Sequence, residues 1–318
     1  MFKDRPVWKI VFCKTPCPDF LYFYFMSRIE VLKTYKLYIA GQFPRTESGR
    51  FYPLMNSKKE IIANVSLSSR KDFRNAEVAA RSAVTGWSGK THFNRGQILY
   101  RIAEIMEGRK EQFVSELVLQ GLAKKQAEAE VAMSVDRWVY YAGWCDKYSA
   151  LFSTVNPVSS SHFNFSVPEP MGVVSIIAPE KSSLLGLCSV IAPVIAGGNT
   201  CIVLASEKMP LCAVTLGEVM ATSDLSGGVV NILTGTSAEL HSHFSSHMDV
   251  NALIYCRNNK EEIKLIGENA SLNVKRVFYW DKDWSKDDSQ NPYMILDLQE
   301  IKTTWHPVEN IGVSGSRY

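Results

Sequence analysis

This 318-residue sequence lacks several features that would point directly to a function. No glycine-rich phosphate-binding turn follows a predicted strand, and no apolar run is long and unbroken enough to span a membrane. The net charge of +3 is small and the basic residues are scattered, which argues against nucleic acid as the main partner. The seven cysteines are an odd number without repeated spacing, so we expect a reducing, cytoplasmic environment rather than a disulfide framework.

The N-terminal residues 1–27 are rich in aromatic side chains, but the run is interrupted by lysine, proline and aspartate. It has no small-residue cleavage site, and this argues against a signal peptide. Cys13 and Cys17 have no second ligand pair nearby, so a zinc site is not expected. We interpret this segment as a poorly specified extension.

What the sequence does contain is an alternation of strand and helix between Met171 and Trp280. Short runs rich in valine and isoleucine are separated by helix-length segments, and they lie at residues 173–178, 200–204, 229–233, 252–255 and 274–279. This spacing predicts βαβ units and an α/β fold, with a Rossmann-like parallel sheet and flanking helices. Ligands of such sheets bind at the carboxyl ends of the strands.

Helical patterns precede this region. Asp72 is expected to cap a helix that begins at Phe73, a second helix is amphipathic around residues 98–106, and a third is predicted over 126–144. Apolar and polar residues then alternate around a serine cluster in 151–170, which predicts a β-hairpin. A terminal strand over residues 293–300 is expected to pair with the hairpin around 163–167, in this subunit or another.

Three histidines and one cysteine are candidates for a metal site and for a nucleophile. His241, His243 and His247 lie close in sequence, but on a helix only the last two share a face, so no metal site is expected. Cys256 follows a predicted strand and lies near the expected cleft. No base accompanies it in the sequence, so we do not assign it as a nucleophile.

Ordered motifs along the chain resemble the aldehyde dehydrogenase superfamily. They are YIAGQ at residues 38–42, RGQIL at 95–99, YYAGW at 140–144, EPMGVV at 169–174, APVIAGGNT at 192–200, GGVVN at 227–231 and HMDV at 247–250. Within that superfamily the chain resembles the second, degenerate unit of the family 16 aldehyde dehydrogenases, and the ending KTTWHP at 302–307 is similar to that unit too.

The resemblance implies a domain order for the chain. Residues 28–150 correspond to the helical part of a cofactor-binding domain, 151–170 to a hairpin oligomerisation arm, and 171–280 to the Rossmann-like region. Residues 281–318 form a tail with one strand, and the catalytic domain that follows in the family is expected to be absent.

Two catalytic positions of the family are changed. The asparagine that stabilises the oxyanion corresponds to Lys181, and the glutamate general base corresponds to Trp280. Residues 281–318 contain no cysteine. Covalent aldehyde oxidation needs a thiolate and a base in one cleft, so these positions are expected to be vestigial.

The cofactor positions are changed as well. In the family's ribose-binding motif the lysine corresponds to Leu204, and only the glutamate is kept, as Glu207. The pyrophosphate turn corresponds to residues 257–262 and has lost its glycines, which removes close backbone approach. The resemblance assigns weak cofactor contacts to a set of five residues: Ile177, Pro179, Glu207, Gly235 and Arg257. We therefore expect weak or absent binding of NAD or NADP.

These losses predict a non-catalytic structural or regulatory partner of an active aldehyde dehydrogenase, in a homo-oligomer or a hetero-oligomer. Two alternatives stay open. The chain could be an NAD(P)-dependent oxidoreductase acting on aldehydes, alone or as one half of a split enzyme. It could also be a sensor that binds a dinucleotide without chemistry.

Overall fold

A five-stranded parallel sheet lies at the centre of the computed structural model, which describes residues 31–56 and 58–308. In that part of the chain the strands are β1 (Thr34–Tyr35), β2 (Phe51–Met55), β3 (Ile61–Ser66), β4 (Thr154–Asn156), β5 (His162–Pro170), β6 (Val173–Ile177), β7 (Thr200–Leu204), β8 (Val230–Leu233), β9 (Ala252–Tyr255), β10 (Arg276–Tyr279) and β11 (Gln299–Pro307). The helices are α1 (Arg70–Ser88), α2 (His92–Gly108), α3 (Lys110–Leu119), α4 (Lys124–Trp144), α5 (Tyr148–Phe152), α6 (Ser183–Ala196), α7 (Leu211–Ala221), α8 (Ser237–Ser246), α9 (Lys260–Ser271) and α10 (Tyr293–Leu296).

The central sheet has the strand order β10-β9-β6-β7-β8, and every neighbouring pair is parallel. Val174 pairs with Cys201 on one side and Ala252 on the other. All five residues of β6 are buried, as expected for a strand covered on both faces by helices. The predicted Rossmann-like α/β fold is therefore confirmed.

The chain reverses its direction across the sheet at β6. It runs outward through β7 to β8, then returns to place β9 on the other side of β6. Such a switch point opens a crevice between the carboxyl ends of the two strands, here β6 and β9. This topology places the candidate site.

Helix α1 begins earlier than the sequence predicts. Its N-cap is Ser69, whose hydroxyl accepts from the amide of Asp72, while the Asp72 carboxylate accepts from the Ser69 amide. Asp72 is thus the third helical residue of a capping box, and the expectation that it caps a helix from Phe73 is wrong by one turn. The two capping hydrogen bonds satisfy backbone amides that would otherwise lack partners at the start of the helix. Their contribution offsets part of the conformational entropy lost when the helix forms.

A smaller sheet of order β11-β5-β4 lies outside the central one. Strands β4 and β5 form the predicted hairpin, with Val155 opposite Phe165. Strand β11 pairs antiparallel with β5 over its whole length, from Gln299 opposite Pro170 to Pro307 opposite His162. A terminal strand thus pairs with the hairpin within one chain, but residues 163–167 lie opposite 302–306 and not opposite the predicted segment 293–300.

The position of that terminal strand is not as predicted. Residues Tyr293–Leu296 form the short helix α10, and the strand begins only at Gln299. Met294, Ile295 and Leu298 are buried in the core, which a strand lying flat on the outer sheet does not allow. Tertiary burial of three apolar side chains therefore overrides the alternating pattern.

All these elements belong to the unit that spans residues 34–318. The predicted extension over residues 1–27 lies outside the described residues. In residues 31–56 and 58–308, no helix has the length and apolar character needed to cross a bilayer. The proposed boundaries at residues 150, 170 and 280 stay predictions.

Candidate functional site

A cleft of about 680 Å3 opens at the carboxyl ends of β6 and β9. Its lining comes from the loop after β6, the loop after β9 and the segment after β10, and consists of Pro179, Glu180, Lys181, Ser182, Cys256, Arg257, Asn258, Asp281, Lys282, Asp283 and Trp284. Both charge signs are present in this lining. The cleft is at the place where the switch point of the sheet predicts a ligand.

Arg257 lines one wall of this cleft, and its guanidinium forms hydrogen bonds and ion pairs with several neighbouring groups. Its Nε donates to the Ala178 carbonyl at 2.9 Å, and a terminal nitrogen donates to the Ala205 carbonyl at 3.2 Å. The same group forms ion pairs of 2.8 Å with Glu180 and with Glu207. The side chain is only 10% exposed, so one arginine joins the ends of β6, β7 and β9.

The two carboxylates are held by other donors as well. Glu180 accepts from the Ser206 hydroxyl at 2.7 Å and from the Glu207 amide at 3.1 Å. Glu207 accepts from the Ser237 amide at 2.5 Å, at the start of α8. Each side chain of the trio of Glu180, Glu207 and Arg257 thus has partners inside the protein, with Glu207 bound through its Oε1. We call this trio the arginine plug.

The N-terminus of α9 is also satisfied internally. The Asn259 side chain caps the helix and accepts from the amides of Glu261 and Glu262. The Glu262 carboxylate accepts from the Ser237 hydroxyl at 2.9 Å and the Tyr255 hydroxyl at 2.8 Å. A negative side chain and a capping amide therefore occupy the helix end that could otherwise bind an anion.

The two positions predicted to be vestigial hold Lys181 and Trp280. Lys181 is exposed on the rim of the cleft. Trp280 is 6% exposed and lies in the main core, with its ring 6.2 Å from that of Phe278. An indole has no proton to exchange as a general base, so this position supplies none.

Cys256 lines the cleft but is a poor nucleophile. The residue is 3% exposed, and burial raises the pKa of its thiol above the ordinary value. A protonated thiol is unreactive, because the thiolate is the attacking species. The cysteines at 145, 188, 201 and 212 are buried as well.

The structure brings three of the five predicted cofactor residues together at the cleft and places the other two elsewhere. Pro179, Glu207 and Arg257 come together at the cleft, with Glu207 bound to Arg257. Ile177 is fully buried in the core. Gly235 is left-handed, with φ of 146°, and a β-carbon there would lie 3.3 Å from the Ser68 amide nitrogen, so its role is a close chain approach.

Weak or absent binding of NAD or NADP stays a prediction, and two features of this arrangement bear on it. The pyrophosphate would meet Glu262 at a helix end whose amides are already taken by Asn259. The ribose would need Glu207 as an acceptor, but this carboxylate is paired with Arg257. A ligand that took Glu207 Oε1 from Arg257 would replace a charge-assisted hydrogen bond, which is worth about 1.5–3 kcal/mol.

Sequence reasoning missed two components of the site. Glu180 received no role, although it lies just before Lys181 in the segment that follows β6 and is therefore close to the other strand ends. Asn259 has the side chain of a preferred N-cap and is followed within three residues by two acidic ones, which is a usable signal. The Ser237 and Tyr255 contacts depend on tertiary structure and leave no pattern.

Comparisons with known proteins agree with this fold. The profile of the aldehyde dehydrogenase family matches residues 45–279. The cytosolic 10-formyltetrahydrofolate dehydrogenase of Xenopus tropicalis is 31% identical over 258 residues, covering 79% of this chain and 29% of that protein. The mitochondrial aldehyde dehydrogenase family 2 member B4 of Arabidopsis thaliana is 31% identical over 247 residues, covering 76% of this chain and 45% of that protein.

Solved structures give the same picture. Aldehyde dehydrogenase C of Pseudomonas syringae, a cysteine-to-alanine mutant complexed with NAD+ and octanal, superposes with a TM-score of 0.71 at 28% identity. Betaine aldehyde dehydrogenase of Staphylococcus aureus in complex with NAD+ gives 0.73 at 26%. Each comparison covers 77% of this chain and 49% of the other, so the chain spans about half their length. The chain belongs to the aldehyde dehydrogenase family.

Proposed function

We propose that this chain is a non-catalytic, cofactor-independent member of the aldehyde dehydrogenase family that acts as a structural or regulatory partner of an active aldehyde dehydrogenase. The observation that carries the proposal is the arginine plug. Arg257 lies where the family's pyrophosphate turn has glycine, and its two ion pairs of 2.8 Å tie up Glu180 and Glu207.

The chemistry of the remaining positions supports the same conclusion. Oxidation of an aldehyde through a covalent intermediate requires an activated thiolate, a base and a hydride acceptor in one cleft. The cysteine that lines the cleft is buried with a raised pKa, and the base position holds a buried tryptophan. Among the described residues, the cleft therefore offers no group that can start the reaction.

A partner role is supported by the outer sheet. Val155, Phe163, Phe165 and Val167 lie on one of its faces, because Val155 pairs with Phe165 and the other residues alternate along β5. Val155 is 68% exposed and Phe163 47%. We call these four residues the apolar face. Strand β11 is an edge strand of the same sheet, with pairing groups available for another chain.

The test of the cofactor claim is calorimetric titration of the purified chain with NAD and with NADP. We expect no heat of binding at millimolar cofactor, while an active aldehyde dehydrogenase measured in parallel binds at micromolar concentrations. The partner claim is tested by co-purification with that enzyme and by its specific activity with and without the chain. Reduction of NAD by the purified chain with an aldehyde overturns the proposal.

A dinucleotide sensor is the second candidate, and the cleft itself favours it. About 680 Å3 of space, lined by Lys181 and Lys282, lies beside Arg257 at the switch point. A sensor would bind the dinucleotide at micromolar concentration and lose affinity in Glu207→Ala. A structural partner would show no dependence on this substitution.

A further inference from the structure

Glu77, His247 and Asp249 form a cluster far in the sequence from the arginine plug. Each offers one ligand atom, and the three atoms lie within 4.8 Å of one another. Glu77 comes from the middle of α1, His247 is the C-cap of α8, and Asp249 lies in the loop before β9. That loop leads into the amino end of β9, so the cluster lies at the opposite edge of the central sheet from the cleft.

Glu77 is the unusual member of this cluster. It is 4% exposed on a helix face that also buries Ala76 and Ala80, and its Oε1 has no hydrogen-bond partner. An isolated carboxylate in such a place costs several kcal/mol of solvation unless a charge compensates for it. Among the described residues Glu77 forms no salt bridge, and the positive charges that face its carboxylate, on Arg81 and Arg74, lie beyond ion-pair distance.

His247 presents a matching donor atom. Its Nδ1 is buried and lacks a hydrogen-bond partner. The ring packs edge-on against Phe73, with centroids 5.6 Å apart, and the His247 carbonyl accepts from Lys275 Nζ at 2.8 Å. The backbone and ring plane are therefore fixed by contacts that leave Nδ1 without a hydrogen-bond partner.

Asp249 supplies the third group and an entry path. It is exposed, and its backbone carbonyl accepts from Arg81, which also donates to the Asn251 side chain at 2.8 Å. These contacts hold the loop through its backbone and an amide, while the Asp249 carboxylate makes no hydrogen bond to any described residue. An ion could reach the buried carboxylate from this side.

We propose that Glu77, His247 and Asp249 bind a divalent transition-metal ion of the zinc type. One imidazole nitrogen and two carboxylate oxygens are common zinc ligands, with bonds of about 2.0–2.2 Å, and such ligand atoms lie about 3.4 Å apart in a tetrahedral site. The three ligand atoms now lie within 4.8 Å of one another, so they would have to move closer together when the ion binds. The imidazole ligand disfavours magnesium and calcium, which prefer oxygen.

The bound ion would join α1 to the loop between α8 and β9. Since it binds the folded chain through residues that are distant in sequence, it stabilises the native state by mass action. The fourth coordination position, on the exposed side of Asp249, would hold water. This site makes no use of the cleft, so the inference is independent of the proposed function.

Zinc chloride titrated into the untagged full chain, against a chromophoric chelator, tests the site. We expect one ion per chain, no comparable binding of magnesium, and an increase of about 5 °C in the unfolding midpoint at saturating zinc. Asp249→Asn, at an exposed position where folding is not at risk, should weaken zinc binding at least about tenfold. Glu77→Gln should do the same.

His243→Asn is the matched control, because His243 lies one helical turn before His247 and is not in the cluster. It should leave the affinity for zinc unchanged. The proposal is overturned if zinc does not bind, if magnesium binds equally well, or if Asp249→Asn and Glu77→Gln bind zinc as tightly as the wild type. An equal loss in His243→Asn would also overturn it, since that result indicates adventitious binding by surface histidines.

Discussion

Arg257 and Glu207 form an ion pair of 2.8 Å that links the carboxyl end of β9 to that of β7 across the end of β6. The arginine is 10% exposed and the glutamate 33% exposed, so the pair is only partly screened by water. With Glu180 as a second partner at 2.8 Å, one cation neutralises two carboxylates. The loop ends that would surround a ligand are therefore cross-linked to each other.

The first prediction concerns the stability that the arginine plug contributes. Arg257→Met removes the cation and leaves Glu180 and Glu207 as neighbouring carboxylates, so the free energy of unfolding should fall by about 2 kcal/mol. The expected loss is smaller than for a fully buried pair because the carboxylates are partly exposed. Urea denaturation measures it. Lys260→Met, at an exposed lysine that begins α9, is the control and should have no effect.

A thermodynamic cycle distinguishes the ion pairs from simple packing. In the background Glu180→Gln/Glu207→Gln, the same Arg257→Met change should cost much less, since no charges are left to compensate. If the cost is the same in both backgrounds, Arg257 acts by filling space. The account of the plug as an electrostatic cross-link would then be wrong.

The second prediction concerns association through the outer sheet. Phe163→Asp places a charge on the apolar face, so complexes formed through this sheet should dissociate, while the unfolding free energy changes by less than about 1 kcal/mol because Phe163 is 47% exposed. Light scattering after gel filtration measures the association. Leu272→Asp is the control, since Leu272 is 83% exposed and lies after α9, away from this sheet.

Either of two results would contradict the prediction. Unchanged association of Phe163→Asp would show that the apolar face is not an interface. Equal dissociation of Leu272→Asp would show that added negative charge, rather than its location, controls association.

How far the sequence predicts the structure depends on the range of the contacts. The five strands of the central sheet follow from local runs of valine and isoleucine, and their bounds shift by at most two residues. Strand β10, for example, begins at Arg276 rather than at residue 274. Such runs are apolar on both faces wherever the parallel sheet buries them, so the signal is local and strong.

The segment around Met294 shows where that signal fails. Alternating apolar residues predict a strand, but Met294 and Ile295 belong to a four-residue helix that packs on the core before β11 begins. No local pattern separates a short buried helix from a buried strand. Whether the segment forms a helix or a strand depends on the space in the core that these side chains fill.

The sequence shows which positions of the site differ from the family's motifs, but not what the side chains at those positions contact. Residue types at positions such as Trp280 and Arg257 indicate that the family's chemistry is changed. That Arg257 turns inward to Glu180 and Glu207 depends on how three strand ends meet in space. The cluster at Glu77 was likewise invisible, because 170 positions of the chain separate Glu77 from His247.

The third prediction concerns Arg95, a buried arginine in one of the family motifs. It is 2% exposed and donates from Nε to the Ala196 carbonyl at 3.2 Å, at the C-terminus of α6. Other nitrogens donate to the Lys90 carbonyl at 2.9 Å and to the Tyr148 hydroxyl at 3.2 Å. Arg95 therefore fixes the turn before α2 and the end of α6 relative to each other, and the positive charge suits that helix end.

Arg95→Met should lower the free energy of unfolding by about 3 kcal/mol, since it leaves buried carbonyl groups without donors. Arg101→Met is the matched control on the same helix, where the arginine is exposed and pairs only with Glu104, and it should cost less than about 0.5 kcal/mol. Urea denaturation of both variants measures the difference. Equal effects would mean that the carbonyls near Arg95 find water instead, because a hydrated site would not penalise the loss of the guanidinium.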